Sequence, residues 1–226
     1  MDADGVWVVI PAYNEGPVIA DVVEAVRATW PNVVVVDDCS GDDTREAARS
    51  AGAIVVRHPI NLGQGAALQT GIRHALSRGA EYVVTFDADG QHRPEDIAVL
   101  LDAQRRSGAA VVIGSRFLGA AENLPPSRRA LLKLAVLFTR LTTGLKVTDA
   151  HNGLRLLTRS AAQCIEIRQN RMAHASEIID QIRRLGLSVA EAPVTIVYTE
   201  YSLRKGQRLG NALNILADLF IAKVNK

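Results

Sequence analysis

Four consecutive valines, Val33–Val36, run straight into two aspartates, Asp37 and Asp38. A strand with one wet face alternates apolar and polar residues. An unbroken β-branched run belongs instead to a strand covered on both faces, as in a parallel sheet. Val6–Ile10, Ala53–Arg57, Tyr82–Phe86 and Val111–Gly114 share this character, and helical patterns near 17–29, 42–51, 64–78 and 94–107 supply the crossovers. The expected architecture is α/β: a doubly wound, Rossmann-like, mostly parallel sheet. After Gly114 the rhythm weakens into Pro125-Pro126, a helical stretch, a second one over about 173–185, and a late strand near Val194–Tyr198. No linker or repeat divides the 226 residues, so one domain is expected over 1–226, with the second half, 117–226, built onto the same sheet as the first, 1–116.

Several function classes are disfavoured early. A formal net charge of +2 gives no general electrostatic case for nucleic acid. Cys39 and Cys164 are far apart and form no CxxC pair, which argues against a zinc site or disulfide framework and for a reducing, cytoplasmic setting. The amino terminus lacks the pattern of a signal peptide. The most apolar run, Ala130 to Leu141, carries Lys133 and Arg140 and is too short to span a bilayer.

Ligands of open α/β sheets bind beyond the carboxyl ends of the strands, and here those ends are polar. The first strand leads into Pro11-Ala12-Tyr13-Asn14-Glu15, the second into Asp37-Asp38-Cys39-Ser40, the third into Asn61-Leu62-Gly63-Gln64-Gly65, and the fourth into Asp87-Ala88-Asp89-Gly90-Gln91-His92. Asp87 and Asp89, two apart at a strand end, can face one hard divalent cation such as Mg²⁺ or Mn²⁺, with Gln91 as a third oxygen donor; a solvated turn is the alternative. Asp38 switches abruptly from the valine run and needs a partner, either the N–H of a nucleobase or a helix terminus. Gly63 and Gly65 let backbone approach a ligand closely or simply make a tight turn.

These motifs, with Gly114-Ser115-Arg116 and Asp149 through Arg155, resemble family-two glycosyltransferases of the GT-A fold, specifically the dolichol-phosphate mannosyltransferase branch, along nearly the whole chain. The resemblance implies an inverting, metal-dependent transferase. Its first half would bind the nucleotide-sugar through Pro11, Tyr13, Glu15, Asp38, Gly63 and Gln64, with Asp87, Asp89 and Gln91 as the metal and diphosphate group. Asp89, Asp149 and Arg204 would be the catalytic residues, and Arg116 and Lys205 would lie near the phosphates or acceptor, Arg204 and Lys205 in a late loop able to close as a lid. The donor would be a UDP-sugar such as UDP-glucose, or GDP-mannose, and the acceptor a polyprenyl phosphate. Such an acceptor is largely dianionic at neutral pH and needs no strong base. A hydroxyl acceptor would need one, with Asp89, Asp149 and Glu177 as candidates.

Two segments suggest peripheral contact with the cytoplasmic face of a membrane. Ser127–Leu145 sets Arg128, Arg129, Lys133 and Arg140 beside a leucine-rich stripe, the arrangement of a helix that rests on anionic lipid or binds the phosphate of a lipid substrate through Arg128, Arg129 and Lys133, and Leu209, Leu213, Leu216, Phe220 and Val224 fall on one helical face. Packing on the protein's own core is the alternative for both. A homo-oligomer or a separate membrane subunit is a further expectation. The competing functions are transfer to a sugar hydroxyl of a glycan and, from another class, non-catalytic nucleotide binding.

Overall fold

The computed structural model describes residues 3–170 and 174–205. The chain runs β1 (Val6–Ala12), α1 (Gly16–Arg27), β2 (Asn32–Asp37), α2 (Thr44–Ser50), β3 (Ile54–Arg57), α3 (Gln64–Ser77), β4 (Tyr82–Thr85), α4 (Asp96–Ser107), β5 (Val111–Glu122), α5 (Pro126–Thr143), β6 (Arg155–Thr158), α6 (Arg159–Cys164), α7 (His174–Arg184), β7 (Val189–Val197) and α8 (Glu200–Lys205). All seven strands join one sheet in the order β3-β2-β1-β4-β6-β5-β7. The valine run is fully buried, and apolar layers cover both faces: Ile19, Val23, Leu100 and Leu101 on one side, Leu68, Ile72, Ile178 and Ile179 on the other.

The first four strands pair in parallel, as the continuous apolar runs imply. The remainder departs from expectation. β6, which carries no run long enough to announce a strand, inserts antiparallel between β4 and β5, so those two strands are not neighbours. β5 extends to Glu122 through an irregularity between Ser115 and Ala120, and its partner β7 begins at Val189, well before Val194. The Arg204-Lys205 pair belongs to helix α8 rather than to a loop. The Arg204 side chain and the apolar stripe from Leu209 to Val224 lie outside the described residues.

Order 3-2-1-4 places a topological switch between β1 and β4, where a crevice opens at the carboxyl ends. Pro11 marks its mouth. The Val9 carbonyl accepts from Phe86 on the β4 side, and Pro11, two residues on, turns its backbone the same way. The β1–β4 ladder has ended at Val9–Thr85, so the N–H that proline lacks has no strand partner to lose.

Candidate active site

Three strand-end segments meet at this crevice. Asp87 accepts from Gln64 Nε2 at 3.2 Å through Oδ1 and from His92 Nε2 at 3.0 Å through Oδ2. Gly153 packs on its carboxylate so closely that any side chain there would collide with it. Burial works against ionisation of Asp87, but the His92 hydrogen bond and the charges of His92, His174 and Arg155 hold its pKa below the ordinary carboxylate value. Asp89 shows the opposite balance: burial, then repulsion from Asp87, pushes its pKa up to about 6. Its Oδ1 accepts the backbone N–H of Gln91 at 3.1 Å. Two carboxylates and an amide oxygen, all hard donors, with charge repulsion that a cation would relieve, fit Mg²⁺ or Mn²⁺ better than a thiophilic metal.

Asp38 has an internal task. Its carboxylate accepts the Leu62 and Gly63 amides at 2.9 and 2.6 Å and His58 Nδ1 at 2.7 Å, while His58 Nε2 meets Thr70 at 2.9 Å. The side chain therefore fixes the loop that delivers Gln64 to Asp87. Gly63 needs its positive φ of 94°, and the close backbone approach of Gly65 is to the chain's own Gln169 carbonyl. Cys39 also sits at positive φ, 64°.

Glu15 is nearly buried and accepts from Tyr201 at 2.8 Å, with Lys205 Nζ 2.9 Å from its other oxygen. Lys205 also donates to the carbonyls of Tyr13 and Asn14. Helix α8 thus docks on the β1–α1 turn, and Tyr13 remains half exposed beside it.

Arg116 and Asp149 face each other in the interior. Arg116 Nε lies 2.5 Å from Asp149 Oδ2, the Arg116 backbone N–H donates to the same oxygen at 3.1 Å, and the guanidinium reaches Tyr198 Oη at 2.5 Å. Burial opposes the charge on Arg116, but Asp149 and Tyr198 hold its pKa above the usual value. Glu191 accepts the Thr148 and Asp149 amides and so fixes the turn that carries Asp149. Arg128, in the first turn of α5, stacks over the Tyr198 ring at 5.1 Å. Arg129 and Lys133 are exposed on the same helix. Beneath both carboxylates lies Arg155, whose pKa burial lowers to about 10 against the pull of Asp87 and Asp149.

His58, His92, Arg155, Glu191, Tyr198 and Tyr201 were not singled out as site residues in the sequence. Local signals exist for two of these, the Gln-His ending of the Asp87–His92 segment and the arginine that closes the Asp149–Arg155 motif.

A consequence for pH follows from Asp89. Its raised pKa makes the metal-free fold lose stability as pH rises from the ordinary carboxylate value of about 4 through about 6. A cation must displace that proton at low pH, so Mn²⁺ affinity should climb with pH through about 6 and level off above it. Calorimetric titrations of Mn²⁺ across this range, with thermal melts of the metal-free protein, check both trends.

The family model described as Glycosyl transferase family 2 matches residues 7–166. The UDP-N-acetylglucosamine–dolichyl-phosphate N-acetylglucosaminyltransferase of Methanococcus voltae is 31% identical over 98% of this chain and 97% of its own length. The undecaprenyl-phosphate mannosyltransferase of Micrococcus luteus is 33% identical over 86% and 84%. Among solved structures, the glucosyl-3-phosphoglycerate synthase of Mycobacterium tuberculosis, in complex with Mn²⁺, UDP-glucose and phosphoglyceric acid, superposes with a TM-score of 0.74 over 95% of this chain and 78% of that one, at 21% identity.

Proposed function

Because the chain belongs to glycosyl transferase family 2, we propose that it transfers a sugar from a nucleotide-sugar to a polyprenyl phosphate, with inversion at the anomeric carbon. The observation that carries this assignment is the meeting of an oxygen-donor cluster and an arginine pair along one strand. The Val197 amide donates to the Gln91 carbonyl at 2.9 Å, and the next residue, Tyr198, carries Arg116 and Arg128. The first group suits a metal-bound diphosphate and the second an anionic acceptor.

Asp87, Asp89 and Gln91 would hold Mg²⁺ or Mn²⁺, which when bound neutralises charge growing on the departing diphosphate. Gln64 and His92 orient Asp87, and Arg128 and Arg129 lie in the first turn of α5, a helix with no acidic residue there. That electropositive end is self-repelling until an anion meets it. A phosphate monoester, largely dianionic above its second pKa of about 6, attacks without a base. A hydroxyl acceptor is disfavoured because none of the three candidate bases is free for it: Asp149 is paired with Arg116, Glu177 accepts the amides of Arg168 and Gln169, and Asp89 would be committed to the cation. We take UDP-glucose as the first donor to try and GDP-mannose as the second. Radiolabelled sugar entering an organic-extractable lipid, only with Mg²⁺ or Mn²⁺ present, is the expected result. Label found in a water-soluble glycan would favour the hydroxyl acceptor, and no turnover with any donor would favour nucleotide binding alone.

The acceptor also accounts for α5. Leu134, Leu137 and Leu141 are 54, 52 and 79% exposed, one stripe at i, i+3 and i+7, with Lys133 exposed beside them. No helix among the described residues is long and apolar enough to cross a membrane, so the stripe would lie along an anionic surface. Replacing Leu137 and Leu141 by Glu should cut sedimentation with phosphatidylserine-containing vesicles by about tenfold or more, since burying one leucine contributes about 1.5–3 kcal/mol. Activity on a short-chain, water-soluble acceptor should be spared.

A further inference from the structure

We propose that His92 is a positioning residue that fixes the Asp87 carboxylate for the divalent cation and ties it to the acceptor-side strand. The inference rests on the metal-dependent transfer proposed above. His92 Nε2 stands 3.0 Å from Asp87 Oδ2, and an ionised carboxylate only accepts, so Nε2 carries the hydrogen. The side chain is 3% exposed. Its other nitrogen, Nδ1, is buried with no hydrogen-bond partner among the described residues. The imidazole is thus taken out of water for a single polar contact, although burying an unpartnered polar atom is unfavourable. Packing alone would be better served by an apolar ring, because the Phe86 ring already meets His92 edge-on at 5.3 Å and phenylalanine would keep that contact.

The backbone of the same residue does a second task. His92 forms an antiparallel bridge with Ile196, and the flanking Gln91 carbonyl accepts from Val197. Tyr198 follows immediately and holds Arg116. One residue therefore links the orientation of Asp87 to the end of β7. Gln64 fixes the other oxygen of Asp87, so the carboxylate is held in a single orientation rather than free to rotate. Groups that orient a metal ligand in this way typically account for about 10–100-fold in metal affinity.

The test compares wild type with His92→Phe, which keeps the ring packing and removes the hydrogen bond, and His92→Gln, whose amide can donate from nearly the same place. Mn²⁺ is titrated in the presence of saturating UDP, with bound metal followed by electron paramagnetic resonance and folding checked by metal-free melting. We expect Mn²⁺ affinity to fall about 10–100-fold in His92→Phe and to return close to wild type in His92→Gln. Equal binding by His92→Phe and wild type overturns the inference, as does His92→Gln binding as weakly as His92→Phe. If His92→Phe does not fold, His92→Gln decides alone: near-wild-type affinity supports the donated hydrogen bond, and a loss comparable to that expected for phenylalanine overturns it. A wild type that binds no Mn²⁺ with either UDP or GDP would instead remove the metal-dependent reading itself.

Discussion

Asp89→Asn should reduce sugar transfer by at least about 10²–10³-fold, the range lost when a group that supports developing charge is removed from a preorganised site. The substitution keeps the volume and takes away the charge. Among the described residues, Asp89 is the carboxylate of the pair that accepts no side-chain hydrogen bond, whereas both oxygens of Asp87 are already engaged. The loss should therefore appear in metal-dependent nucleotide binding as well as in turnover. Stability should move the other way. Asp89 ionises only near pH 6 because burial and Asp87 oppose its charge, so above that pH the metal-free variant should melt no lower than wild type. Parallel transfer assays and thermal melts check the two halves, and wild-type turnover by Asp89→Asn would remove the metal assignment.

Asp149→Ala should be the most destabilising single change at the site. Asp149 is 1% exposed and supplies the counter-charge to a guanidinium that is itself buried. Removing one partner strands the other, at a cost of about 3–5 kcal/mol. For a domain of this size that lowers Tm by roughly 6–20 °C. Turnover should fall with it, because Arg116 loses the contact that directs it toward Tyr198. The double replacement Arg116→Met with Asp149→Leu separates the two effects: much of the stability should return, since an apolar pair can replace a buried ion pair, while transfer should not. Chemical denaturation of the three proteins measures the first, and the lipid-extraction assay the second. An Asp149→Ala protein within about 1 kcal/mol of wild type would mean that Arg116 finds another partner.

What the sequence by itself determined is the part written in neighbouring residues. Val33–Val36 names a strand covered on both faces because burial of consecutive β-branched side chains leaves no wet side, and the switch to Asp37 marks where that strand leaves the core. The same local contrast located Pro11, Asp87 and Asp89 at the crevice and, with the motif order, the family. Tertiary structure decided what each polar group does there. Asp38 meets Leu62 across 24 positions, Arg116 meets Asp149 across 33 and Tyr198 across 82. An isolated aspartate followed by a turn reads the same whether its partner is a nucleobase, a cation or a distant amide. β6 illustrates the same limit. Four residues beginning with a buried arginine carry no apolar run of their own, and they form a strand because β4 and β5 present unpaired edges on either side. Hydrophobic periodicity is a property of adjacent side chains. Pairing of a buried charge is settled only by which groups the folded sheet brings within about 3 Å, where the free energy of leaving either one alone is too high.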